Sequence, residues 1–144
     1  QLLYSDENFS VPANVYIIGM MNTADRSLAM LDYALRRRFS FFTMKPGFNT
    51  PGFQAYQDSL KNDAFNKLIA CVKQLNSKIA EDISLGEGFC IGHSYFCGLT
   101  PETANTQTLS SIVEYELIPL LKEYWFDEPA KIVDWSDRLR SAVK

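Results

Sequence analysis

Val15-Tyr16-Ile17-Ile18-Gly19-Met20-Met21-Asn22-Thr23-Ala24-Asp25-Arg26-Ser27 is the stretch on which the fold turns. Its first six residues are apolar without interruption and rich in β-branched side chains. Pro12 and Asn14 bound them on one side, Asn22 and Thr23 on the other. That pattern predicts a fully buried strand of an α/β sheet. Ligands of open α/β sheets bind beyond the carboxyl ends of the strands. An amide that orients water and guanidiniums that neutralise phosphate are recurring parts of a nucleoside-triphosphate hydrolysis site. Asn22, Asp25 and Arg26 therefore stand where such chemistry is done. Spacing alone favours a plainer reading, with Asn22 ending a strand in an Asx turn and Asp25 or Ser27 capping the next helix.

Outward from this stretch, Leu28, Leu31, Ala34 and Leu35 give the next segment one apolar helical face. It ends in Arg36-Arg37-Arg38. Successive helical residues point about 100° apart, so three consecutive guanidiniums cannot all reach one phosphate. A helix terminus neutralising its own dipole would need fewer. Phe39 to Met44 is a second strand candidate, ended by Lys45-Pro46-Gly47. Two strands and one helix cannot cover both faces of a parallel sheet, which predicts a larger parent domain. The opening Gln1-Leu2-Leu3-Tyr4 likewise reads as a segment of a longer protein.

From Phe48 the pattern turns helical. A connector over 48–52 precedes helices expected at 53–60 and 63–83. In the second of these, Phe65, Leu68, Ile69, Val72, Leu75 and Ile79 form a stripe at helical spacing. Gly86, Gly88 and Gly92 break the pattern, and 89–96 reads as a short extended segment. A helix is expected over 106–126 with a kink or a break near Ile118, because Pro119 lies inside it. A last helix over 128–142 would be capped by Asp127. Tyr115, Tyr124, Trp125, Phe126 and Trp135 read as helix-packing core. The expected organisation is an α/β part over 1–47 followed by an all-α part over 48–144.

The 144 residues carry a net charge of −3, and the pI is near 5.1, which argues against a dedicated nucleic-acid surface. No run is long and apolar enough for a membrane span. Three cysteines, an odd count, suit thiols in a reducing cytoplasm. Cys90, His93 and Cys97 cluster, but a structural zinc wants a fourth ligand and none is near. Gly47 and Gly52 have P-loop spacing, yet Phe53 and Gln54 stand where Lys and Ser/Thr are required. Asp6-Glu7 reads as a turn. A single histidine rules out arguing a Ser/His/Asp triad. His93, set after Gly92, either faces a nucleotide or a neighbouring subunit, or is a hydrogen-bonded structural histidine.

VYIIGMMNTADRSLAMLDYALRRRFSF, from Val15 to Phe41, closely resembles the AAA+ motor subunits of McrBC-type, modified-cytosine-specific restriction systems. MNTAD is the signature of that family. Gly86 to Phe96, GEGFCIGHSYF, and Ile118 to Tyr124, IPLLKEY, resemble it too. The resemblance implies the C-terminal part of a P-loop NTPase core followed by an all-α lid. It implies a GTPase, with ATP as the alternative, working with magnesium. Asn22 would be sensor 1 beside the γ-phosphate, with Thr23 next to it and Asp25 and Arg26 at the other charged signature positions. Arg36 and Arg37 fall where the family has its trans-acting arginine finger and its neighbour. Gly92 and His93 would lie where the lid approaches nucleotide, although no Arg occupies the expected lid sensor. Implied partners are identical subunits in a ring, a nuclease subunit of McrC type, and DNA through the assembled complex. Gly-x-x-x-x-Gly-Lys-Ser/Thr and the magnesium-binding acidic strand are missing from these residues, so the segment alone is expected to be inactive. The alternatives are an ATP-dependent AAA+ remodelling protein and a helical interaction module without catalysis.

Overall fold

Thr50 starts the helical architecture. Its Oγ1 accepts from Phe53 N–H at 3.3 Å and donates to the Gly47 carbonyl at 2.7 Å, and Pro51 follows with its φ already suited to a first turn. The computed structural model of the chain describes residues 10–22 and 37–144. It divides into two compact units, Gln1–Asp32 and Tyr33–Lys144.

In the second unit, α1 (Pro51–Leu60) ends at Lys61, whose left-handed backbone (φ 48°) turns the chain. Asn62 then caps α2 (Asp63–Glu81) by accepting from Phe65 N–H at 2.9 Å. All six stripe residues of α2, Phe65 through Ile79, are buried as their spacing predicts. Two 3₁₀ turns follow, Glu87–Phe89 and His93–Phe96, in place of the expected extended segment. Local 3₁₀ bonds and side-chain partners serve this glycine-rich stretch, and among the described residues no strand lies beside it to complete a ladder.

Asn105 caps α3 (Thr106–Ile112). The chain continues without a break through a π turn (Val113–Leu117) into α4 (Ile118–Tyr124). Ile118 N–H reaches back five residues to the Val113 carbonyl. Pro119 has no N–H to offer, and the widened turn ahead of it interrupts the regular α-helical bonding up to Ile118. The last helix, α5 (Pro129–Ala142), starts at Glu128 with no side-chain cap, so Asp127 does not cap it. α2 packs on α5, and α4 and the π turn also pack on α5. Trp125, Trp135, Leu139 and Val143 join the α2 stripe in one core. Tyr115 and Phe126, expected in that core, are each 80% exposed.

The two expected strands take another form. Residues 15–22 and 39–46 have no strand assignment, and their apolar side chains face outward, with Ile18 91% and Met20 99% exposed. A strand exists only as part of a ladder, and the described residues contain no ladder for these runs to join. The α/β character expected over 1–47 is thus not formed among the described residues.

Candidate functional site

The sequence-predicted site residues fall in both units. Asn22, in the first, is exposed at the end of the outward-facing apolar run. Thr23, Asp25, Arg26 and Arg36 lie outside the described residues. In the second unit, Arg37 and Arg38 are exposed in a turn. Gly92 and His93 sit at the start of the second 3₁₀ turn, inside the helical part.

His93 has a well-defined seat. Its Nδ1 accepts from Gly47 N–H at 2.9 Å, across 46 positions of chain. A neutral imidazole that accepts at Nδ1 carries its proton at Nε2, so Nε2–H is left as a donor. Phe48 and Phe53 meet the ring edge-on, with centroids at 6.2 Å and 5.8 Å. Gly47 is obligatory for this contact: a Cβ there would stand 2.9 Å from His93 Cε1. Of the two readings the sequence left open, the hydrogen-bonded one accounts for Nδ1.

Three amide, phenol and carboxylate centres escaped the sequence reading, and the first two brace the same region. Asn76 donates to the Ile91 carbonyl at 2.9 Å and accepts Ile91 N–H at 2.7 Å, a two-point clamp on the strip just before Gly92. The clue was an amide set between the stripe residues Val72 and Ile79. Tyr56 Oη donates to the Phe96 carbonyl and accepts from Leu99 N–H, both at 2.9 Å. Asp82 accepts from Trp125 Nε1 at 2.9 Å, Ser84 N–H at 2.8 Å and Lys131 Nζ at 3.1 Å. The Trp125 bond, then the Ser84 amide, hold this carboxyl below its ordinary range. The distant partners of Tyr56 and Asp82 left no local signal.

Other groups offer less to a ligand. Among the described residues, no three His, Cys, Asp or Glu side chains converge as a metal site. A shallow depression of about 160 Å³ is lined by Ser110, Val113, Glu114, Arg140, Val143 and Lys144. Its arginine is already engaged, with Arg140 Nε and Nη2 donating to the two Glu114 oxygens at 2.5 Å and 2.9 Å. No described helix is long and apolar enough to cross a membrane.

Comparison with known proteins places this geometry. Residues 67–133 match the family described as McrB, alpha-helical lid domain. The chain is 51% identical, over 146 aligned positions, to the type IV methyl-directed restriction enzyme EcoKMcrB subunit of Escherichia coli K12. That alignment covers 96% of this chain and 32% of the relative. It is 32% identical over 91 positions to the type II restriction enzyme BsuMI component YdiS of Bacillus subtilis 168, covering 58% of this chain and 26% of the relative. The chain thus spans about a third or less of the curated relatives it matches.

Proposed function

We propose, from the premise that the chain belongs to the McrB family and that residues 67–133 are its alpha-helical lid, that the complete protein is a GTP-hydrolysing ring motor of a restriction system. The observation that carries this reading is the reach of the similarity, which takes in 96% of the chain and so the Asn22 and Arg37 regions as well as the lid. In this reading Asn22 orients the attacking water and senses the γ-phosphate within its own subunit, with Thr23 beside it. Asp25 and Arg26 line the same subunit boundary. Arg36 and Arg37 serve the neighbouring subunit, one as the finger and one as its support. Gly92 approaches the nucleotide from the lid, beside the His93 ring that Gly47 N–H holds at Nδ1. Magnesium and GTP are bound by residues beyond this chain. The motor then acts on DNA for a nuclease subunit of McrC type.

Placing the sensor and the finger in different subunits has a measurable consequence. In the complete protein, Asn22→Ala and Arg37→Ala should each lower GTP turnover by about 10³-fold, the scale of a lost arginine finger. Mixing the two variants should recover part of the activity, because some interfaces then pair an intact Asn22 with an intact Arg37. Turnover that survives either change, or a mixture no more active than its components, overturns the reading. Faster turnover of ATP than of GTP would move it to the ATP-using alternative.

A further inference from the structure

The lid is tied to the residues that follow Arg37 and Arg38 through a short, doubly held strip. Arg38 precedes Gly47 by nine positions, and both belong to the unit Tyr33–Lys144. Gly47 is held on both sides: its N–H donates to His93 Nδ1 at 2.9 Å, and its carbonyl accepts from Thr50 Oγ1 at 2.7 Å. The next residue, Phe48, is buried against Phe53, Phe96 and the His93 ring. Two residues earlier, Lys45 Nζ pairs with Glu87 at 3.2 Å in the open. Such an exposed pair contributes little by itself. The strength of the tie therefore rests on the buried amide and its acceptor, where a lost partner leaves an unsatisfied N–H.

We propose that His93 is a positioning residue, a latch whose Nδ1 fastens the lid to the arginine-bearing segment so that lid movement is carried to Arg37. The latch itself stands on the contacts above, and its effect on turnover rests on the function proposed for Arg37. The two ring nitrogens divide the labour. Nδ1 holds Gly47, and Nε2 takes no part in the latch. An asparagine places its Oδ1 where His93 Nδ1 stands and keeps the latch. A glutamine places its amide nearer the Nε2 position and loses it.

The test uses His93→Ala, His93→Asn and His93→Gln, in this chain and in the complete protein. Hydrogen exchange at the Gly47 amide should quicken about tenfold in the Ala and Gln variants and stay near wild type in Asn, while the Leu68 and Val72 amides of α2 keep their protection. In the complete protein, kcat for GTP should fall about tenfold in Ala and Gln with KM nearly constant, and Asn should restore it. Unchanged Gly47 exchange in His93→Ala overturns the latch. So does a KM that rises in Ala and Asn but is spared in Gln, since that pattern assigns His93 to the nucleotide through Nε2. Turnover indifferent to Arg37→Ala sinks the proposed function instead, and Gly47 exchange then decides the latch by itself.

Discussion

Asp82 shows how one side chain adds to the acid sensitivity of the fold. It receives a tryptophan N–H, a backbone N–H and a lysine ammonium, and Lys131 lies over the Trp125 ring, 5.4 Å from its centroid. The Trp125 bond is the largest of the influences that lower its pKa. The sign follows from proton linkage. An unfolded aspartate titrates near 3.9, so the folded chain binds the Asp82 proton only at a lower pH. The stability Asp82 contributes is complete above about pH 4 and is lost as pH falls through the depressed folded value. Asp82→Asn should cost about 1–2 kcal/mol at pH 7, because Trp125 and Lys131 lose a charged acceptor. Urea midpoints of wild type and variant should draw together as pH falls through that depressed value. A gap as wide at pH 2.5 as at pH 7 contradicts this account. Asp82 also marks where reading by residue type ran out. The sequence put Trp125 in the core, but the acid that receives its indole lies 43 positions away.

Caps and periodicity decide the elements. Thr50, Asn62 and Asn105 each accept an N–H from the first turn of the helix they open, whereas Glu128 at the start of α5 caps nothing with its side chain. Asn62 does more than Asn105, since its Nδ2 also donates to the carbonyl of buried Ala104. Asn105→Ala should therefore cost about 1 kcal/mol, the usual worth of a cap. Asn62→Ala should cost about 2–3 kcal/mol, because it adds a buried carbonyl without its donor. Denaturant titration of the two variants compares them directly, and equal losses would mean the Ala104 bond is worth nothing. The α2 stripe was legible because six residues at one spacing leave a single face to bury. The π turn was not, because an i→i+5 bond leaves the apolar pattern of a helix almost unchanged. Val15–Met20 and Phe39–Met44 show the opposite failure. Their composition is that of buried strands, yet burial belongs to the finished sheet and not to the run, and the described residues form no sheet around them.

At the scale of the molecule, every buried apolar residue among those described lies at or beyond Phe48. The helical part therefore has a core of its own, and residues 45–144 expressed alone should melt cooperatively, close to the temperature of the whole chain. Catalysis has no such independence. In the proposed function Asn22 and Arg37 would provide orientation and charge, but neither would grip a triphosphate. The sequence lacks the Gly-x-x-x-x-Gly-Lys-Ser/Thr loop whose backbone amides and lysine do so. An arginine finger accelerates hydrolysis only by meeting charge on a phosphate that something else already holds. If the proposed function holds, the 144-residue chain alone should bind GTP weakly and release phosphate no faster than buffer. Phosphate release from the purified chain, followed alongside its Asn22→Ala variant, decides the matter: turnover that Asn22→Ala abolishes would mean these residues hold the nucleotide unaided.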